Sequence, residues 1–332
     1  MKQVAIIGAG AWGTALSGIV SRHFETVRLW VREADLAARM AATGVNDTFL
    51  PGIHLAANVF PTTSLQDAVA DADLLVSVMP SHAVRPLYRD LAPHLRPGVP
   101  VVSATKGLEN VTLLRMSEVI AEIVGDSRRV AVLSGPSFAQ EVASGVPTAV
   151  VLAAQDAGLA QELQIALSGP SFRIYASSDL PGVEIGGALK NVIAIGAGIC
   201  DGLKLGHNST AALITRGLAE LTRLAVAVGG KLETLAGLSG LGDLILTCYG
   251  DLSRNRQVGL KLAAGLKLEG IISSTASVAE GVKTTAVARE LAARYSVEMP
   301  IVNEMHAVLN EGRPPTEAIR RLMSRNLRAE ST

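Results

Sequence analysis

A chain of 332 residues is about twice the usual domain length, and its 48% hydrophobic and 18% charged composition excludes disordered, collagen-like and coiled-coil chains, so two packed domains are expected. Thirty basic side chains balance thirty acidic ones, which argues against a protein built mainly to coat nucleic acid or sit on an acidic membrane. Cys200 and Cys248 form neither a Cys-x-x-Cys pair nor a disulfide framework, and six scattered histidines make no zinc signature, so a reducing cytoplasm and no metal are expected.

The first element is ambiguous. Val4 to Ser21 carries no charge and imitates a signal peptide or short membrane span, but Gly8, Gly10, Gly13 and Gly18 divide it into a strand, a turn and a helix. In Gly8-Ala9-Gly10-Ala11-Trp12-Gly13 the first glycine suits a tight turn, the second close approach of a pyrophosphate, and the third helix–strand packing. Its place after a strand and before an apolar helix is the context that dinucleotide binding requires. Val4–Ile7, Val27–Val31, Leu74–Met79, Val99–Ala104 and Val130–Leu133 read as buried parallel strands. Gly8, Arg32, Pro80, Lys106 and Gly135 then stand near strand carboxyl ends, where an open α/β sheet places its ligands. Arg32 sits where a strict NAD enzyme commonly has an acid; it either meets a 2′-phosphate or is a solvated arginine beside Glu33. Lys106, in Thr105-Lys106-Gly107, is a point charge for the crevice or a surface lysine, and Ser137 with Gln140 fits a capping box as well as a substrate contact.

From about Leu180 the texture turns to long Ala/Leu/Gly stretches, read as helices, and Ser177–Pro181 looks like a helix-entry turn and the domain boundary. Lys190 stands in a run from Glu184 to Ile195 whose remaining residues are nearly all apolar or glycine, with Asn191 beside it. Such a lysine must snorkel, pair or work; if desolvated, its pKa falls toward neutrality and it can exchange a proton with an alcohol. Gly240-Leu241-Gly242-Asp243 offers a carboxylate for an ammonium or a diol, or a loop cap. In Ser253-Arg254-Asn255-Arg256 the serine can cap a helix while Arg254 and Asn255 face an anion, or the arginines form a solvated face. Cys248 has no evident histidine base, and Arg320–Thr332 reads as a polar, frayed tail.

These segments, with Ser103–Glu109, Leu133–Ala139, Leu189–Ala194, Gly240–Leu244 and Ser253–Arg256 the most specific, resemble the bacterial-type NAD(P)-dependent glycerol-3-phosphate dehydrogenases over almost the full chain. The resemblance implies an α/β fold: a Rossmann-like dinucleotide-binding domain (1–178) followed by an all-helical substrate and catalytic domain (179–332), the site between them. It implies reversible reduction of dihydroxyacetone phosphate to sn-glycerol 3-phosphate with NADP or NAD, for phospholipid synthesis, by a cytoplasmic homodimer. By the same resemblance Lys190 is the proton acceptor, and Lys106, Gly135, Ser137, Asp243, Ser253, Arg254 and Asn255 contact the substrate. Trp12, Arg32, Lys106, Ala139, Arg254, Val278 and Glu280 would line the dinucleotide beside Gly8, Gly10 and Gly13. Two departures are Ala11, where the family usually has serine, and Gly206-His207-Asn208-Ser209, where an acid and a small-residue turn are more usual. A β-hydroxyacid dehydrogenase, which would need a carboxylate site, and a nucleotide-sensing module without chemistry are the competing readings.

Overall fold

The computed structural model describes residues 1–273, 279–327 and 329. Its first half alternates strands and helices: β1 (Gln3–Ile7), α1 (Ala11–Val20), β2 (Thr26–Trp30), α2 (Ala34–Thr43), β3 (Val59–Thr62), α3 (Leu65–Val69), β4 (Leu74–Ser77), α4 (Ser81–Leu91), β5 (Val101–Ser103), α5 (Met116–Val124), β6 (Val130–Ser134), α6 (Ala139–Ala143), β7 (Thr148–Ala154), α7 (Ala157–Leu167) and β8 (Phe172–Ser177). The second half is helical: α8 (Leu180–Gly202), α9 (His207–Ala227), α10 (Leu232–Leu235), a π-helical turn at Leu238–Gly242, α11 (Asp243–Tyr249), α12 (Arg254–Ala263), α13 (Leu268–Ser273), α14 (Glu280–Arg294), α15 (Pro300–Asn310) and α16 (Pro315–Met323). The uncharged amino-terminal stretch is a strand, a turn and a helix, and α16 takes in Arg320–Met323, so the polar tail expected from Arg320 begins four residues too early.

One eight-stranded sheet runs β3-β2-β1-β4-β5-β6-β7-β8. The five strands expected from the sequence pair in parallel, in register from Val4 against Val27 and Leu74. Three strands escaped the sequence reading. β3 is an edge strand containing Pro61, whose missing N–H is tolerated only at an edge. β8, the other edge, alternates buried Phe172 and Ile174 with exposed Arg173 and Tyr175, a half-solvated pattern unlike the fully buried runs of the centre. β7 pairs antiparallel with β6 and parallel with β8, so β7, α7 and β8 form a reversed unit appended to a parallel sheet.

Apolar side chains cover both sheet faces. Leu16 and Ile19 of α1, Met40 of α2 and Leu163 of α7 close one face; Val84 and Tyr88 of α4 and Ile120 of α5 close the other. A separate core forms around α8, against Leu221, Leu244, Val258, Val287 and Val302. Asp179 starts α8 by accepting from the Gly182 amide at 3.0 Å, with Pro181 in the first turn, the helix entry that Ser177–Pro181 suggested. Among the described residues α8 alone is long and apolar enough to cross a membrane, and its apolar window is wholly buried inside the protein. Glycines let α12 cross it closely: a Cβ on Gly198 would lie 2.0 Å from the Arg256 carbonyl oxygen, and one on Gly259 2.0 Å from that of Ile195. This crossing brings the first turn of α12 beside Asn191.

Candidate active site

β1 lies where the strand order turns back on itself, with β2 on one side and β4 on the other, and the crevice beyond their carboxyl ends receives the glycine loop. Gly8 has φ +118°, and a Cβ there would lie 2.1 Å from the Val78 carbonyl oxygen. A Cβ on Gly13 would lie 1.8 Å from the Gly8 oxygen, so backbone packing demands both glycines. In front of Gly10 there is nothing within 4 Å, and no side chain caps the amino end of α1. Trp12, half-buried and 6.4 Å from the Phe172 ring between centroids, has a buried indole Nε1 without a partner among the described residues. An open cradle before the first amides of α1 and an indole N–H without a partner among the described residues fit a dinucleotide pyrophosphate. Ala139, first residue of α6, packs beside Ala11 and Trp12 against the same core. Arg32, past the end of β2, is exposed and donates to Glu33 at 2.9 and 2.5 Å.

The chemistry-bearing groups meet on α8 and α11. Asp243 opens α11 after the π-helical turn and is fully buried. Its carboxylate accepts from the Lys190 Nζ through one oxygen and from the Lys106 Nζ at 2.7 Å through the other. Lys190 also donates to Thr247 Oγ1 at 2.7 Å, and Thr247 in turn donates to the Asp243 carbonyl at 2.6 Å. Lys106, half-buried at the end of β5, donates to the Gly135 carbonyl at 3.1 Å, which Ser137 Oγ also reaches at 2.9 Å. Burial lowers the Lys190 pKa to about 7, aided by the Lys106 charge and opposed by Asp243. One carboxylate thus holds two ammoniums from opposite halves of the chain, and the buried one can lose a proton near neutrality. Cys248, by contrast, is pushed up by burial to about 12, which makes it inert as a nucleophile.

The anion-binding candidates gather at the amino end of α12. Ser253 Oγ caps it, accepting from the Arg256 amide at 3.2 Å. Asn255 donates to Asn191 Oδ1 at 2.9 Å and accepts from the Gly281 amide at 2.9 Å, so it ties α8, α12 and α14 together and keeps one amide hydrogen for a ligand. Arg254 is exposed in the crevice and has no hydrogen-bond or ion-pair partner among the described residues; surrounding protein pulls its pKa down against the opposing field of Glu280. Glu280, raised by burial, accepts from Ser81 Oγ at 3.4 Å.

Of the sequence candidates, Lys106, Gly135, Ser137, Lys190 and Asp243 thus form one bonded cluster, and Ser253, Arg254, Asn255 and Glu280 stand along the crevice. Val278 lies outside the described residues. The capping box read at Ser137 and Gln140 is not formed: Phe138 occupies the N-cap of α6, and Ser137 turns back to Gly135. Thr247 was missed, although its position four residues beyond Asp243 on a helix is the spacing of facing neighbours. Also missed was a junction between halves: buried Glu184 of α8 accepts from Arg115 at 2.8 Å and from Ser117 N and Oγ at 2.8 and 2.6 Å. It holds the first turns of α8, less than two turns before Lys190, against the start of α5.

Comparison with known proteins agrees with this geometry. Residues 3–160 match the family described as NAD-dependent glycerol-3-phosphate dehydrogenase N-terminus, and residues 179–320 its C-terminus counterpart. The chain is 55% identical to glycerol-3-phosphate dehydrogenase [NAD(P)+] of Koribacter versatilis, covering 98% of both chains. It is 52% identical to the protein of the same name in Geobacter sulfurreducens, covering 99% of both. The crystal structure of glycerol-3-phosphate dehydrogenase from Coxiella burnetii superposes with a TM-score of 0.93 at 40% identity, covering 98% of this chain and 99% of that one.

Proposed function

The chain belongs to the NAD-dependent glycerol-3-phosphate dehydrogenase family, and from that premise we propose how its own residues perform the reaction. It is an NAD(P)-dependent oxidoreductase that interconverts dihydroxyacetone phosphate and sn-glycerol 3-phosphate. Gly8, Gly10, Trp12 and Gly13, with Ala139 and Glu280 alongside, would hold the dinucleotide, which when bound would supply or take the hydride at the substrate's central carbon. Lys190 gives the proton to the oxygen on that carbon in reduction and takes it back in oxidation. The observation that carries this reading is the buried Lys190–Asp243 contact: the carboxylate keeps the ammonium from losing its proton outright, while burial keeps that proton exchangeable near neutral pH. Lys106, anchored by Asp243 and the Gly135 carbonyl, orients and polarises the substrate oxygens together with Ser137.

Arg254 and the capped amino end of α12 hold the substrate phosphate, with Ser253 and Asn255 as short-range donors. A guanidinium without a hydrogen-bond or ion-pair partner among the described residues, beside the amino end of a helix, suits an anion. Arg254→Ala is expected to raise the KM for dihydroxyacetone phosphate roughly 10- to 100-fold, the scale of a charge-assisted hydrogen bond, and to change use of unphosphorylated dihydroxyacetone far less. Equal losses for the two ketones would assign Arg254 to the cofactor or the fold.

Arg32 reads the 2′-phosphate of NADP, so NADPH is used at least as well as NADH. Its bond to Glu33 competes with that phosphate, which places the expected drop in the NADPH-to-NADH specificity ratio of Arg32→Ala at about tenfold, the lower end for a charge-assisted contact. An unchanged ratio would make Arg32 a solvated surface residue. The division at residue 178, the cytoplasmic location, the homodimer and the supply of glycerol phosphate to phospholipid synthesis belong to the same proposal. Two free, buried thiols and an apolar helix packed wholly inside protein support the location.

A further inference from the structure

Beyond the residues assigned above, two more basic side chains meet at the mouth of the glycine-loop crevice. His82 is the second residue of α4, which rises from β4 beside the loop, and Lys283 lies in the first turn of α14, in the helical half. Lys283 Nζ is 3.3 Å from His82 Nδ1, across 201 positions of sequence. Both residues are exposed, so core packing does not force them together. Partial burial and the charges of Lys283 and Arg32 lower the His82 pKa below its usual value, which favours the neutral imidazole. A lysine beside a neutral imidazole has no counter-charge in that contact. Of the neighbouring acids, Glu33 pairs with Arg32, and Glu280 accepts from Ser81 and divides its field between Arg254 and Lys283, so it offsets the Lys283 charge only in part.

In an open α/β sheet the adenosine of a dinucleotide lies toward the end of the second strand, where Arg32 stands. We infer that His82 and Lys283 complete with Arg32 the pocket for the 2′-phosphate of NADP, so that the helical domain as well as the sheet domain reads the cofactor's extra charge. This rests on the reading of Arg32 given above. Lys283 supplies an ammonium, and the neutral His82, accepting from Lys283 at Nδ1, donates from Nε2. The amino end of α4, which no side chain caps, adds the positive end of a helix.

The test is equilibrium binding. Dissociation constants for NADPH and NADH, read from cofactor fluorescence, are compared in the wild type, Lys283→Met, His82→Gln and Arg32→Ala, with displacement by 2′,5′-ADP and by 5′-AMP as a second readout. The NADPH-to-NADH affinity ratio is expected to fall about fivefold to tenfold in Lys283→Met and about threefold in His82→Gln, the range for exposed charge-assisted and neutral hydrogen bonds. The preference for 2′,5′-ADP over 5′-AMP should fall in step, and Lys283→Arg should restore most of it. Ratios unchanged in Lys283→Met or His82→Gln, while Arg32→Ala lowers its own, would overturn the inference and leave the Arg32 reading standing. Ratios unchanged in all three would overturn both.

Discussion

Replacing Lys190 by methionine is expected to lower turnover in both directions by at least about two orders of magnitude, the usual scale of general acid–base help. Methionine keeps an unbranched stem of similar volume in the buried face of α8, so the substitution removes the titrating ammonium with little repacking. It also removes a donor to Asp243 and Thr247, but Asp243 keeps Lys106 as a counter-charge, so no carboxylate is left buried and unpaired. Cofactor affinity should change little, because the glycine loop and the crevice beyond β2 are untouched. Steady-state kinetics with NADPH and dihydroxyacetone phosphate, beside the NADPH dissociation constant, separate the two effects. Near-normal turnover would remove Lys190 from the proton transfer.

Asp243→Asn should be nearly as damaging and should move the pH profile in a defined direction. With Lys190 as the proton donor proposed above, reduction would need its ammonium, so kcat/KM in that direction should decline through about pH 7, where Lys190 loses its proton. Asp243 favours the charged form and Lys106 disfavours it. Without the carboxylate, the attraction disappears while burial and the Lys106 repulsion remain, so the declining limb should shift toward acid by about one to three pH units. At neutral pH the reduction rate should then fall by roughly 10- to 1000-fold, since each unit of lost protonation is a factor of ten. The profile itself is the check: a limb that stays in place or moves toward alkali would show that Asp243 does not set the lysine's protonation.

Much of this site was legible from local pattern. β-Branched runs marked the five central strands, the glycine spacing marked the cofactor loop, and Ser253 announced its cap, because each of these signals comes from a few consecutive residues obeying one backbone geometry. Lys190 was conspicuous as a lone charge in an apolar run, which told that it must find a partner or a task without telling which. The edge strand β8 was hidden because half its side chains face solvent, and β7 because nothing in its residues states that it runs against β6. Ser137 had two readings, a cap and a substrate contact, since the residue pattern is compatible with either, and the path of the chain around Gly135 excludes the cap.

The sequence alone determined the class of fold, the glycine turn between β1 and α1, the helical texture of the second half and the identity of the charged residues available for chemistry. Only the tertiary structure decided how those charges combine: Asp243 meets Lys190 across 53 positions and Lys106 across 137, and Lys283 meets His82 across 201. The physical reason is that secondary structure follows from short-range periodicity. A buried carboxylate's partners, and the lysine pKa they set, depend on which helix faces cross and on how closely glycines such as Gly198 and Gly259 let them approach.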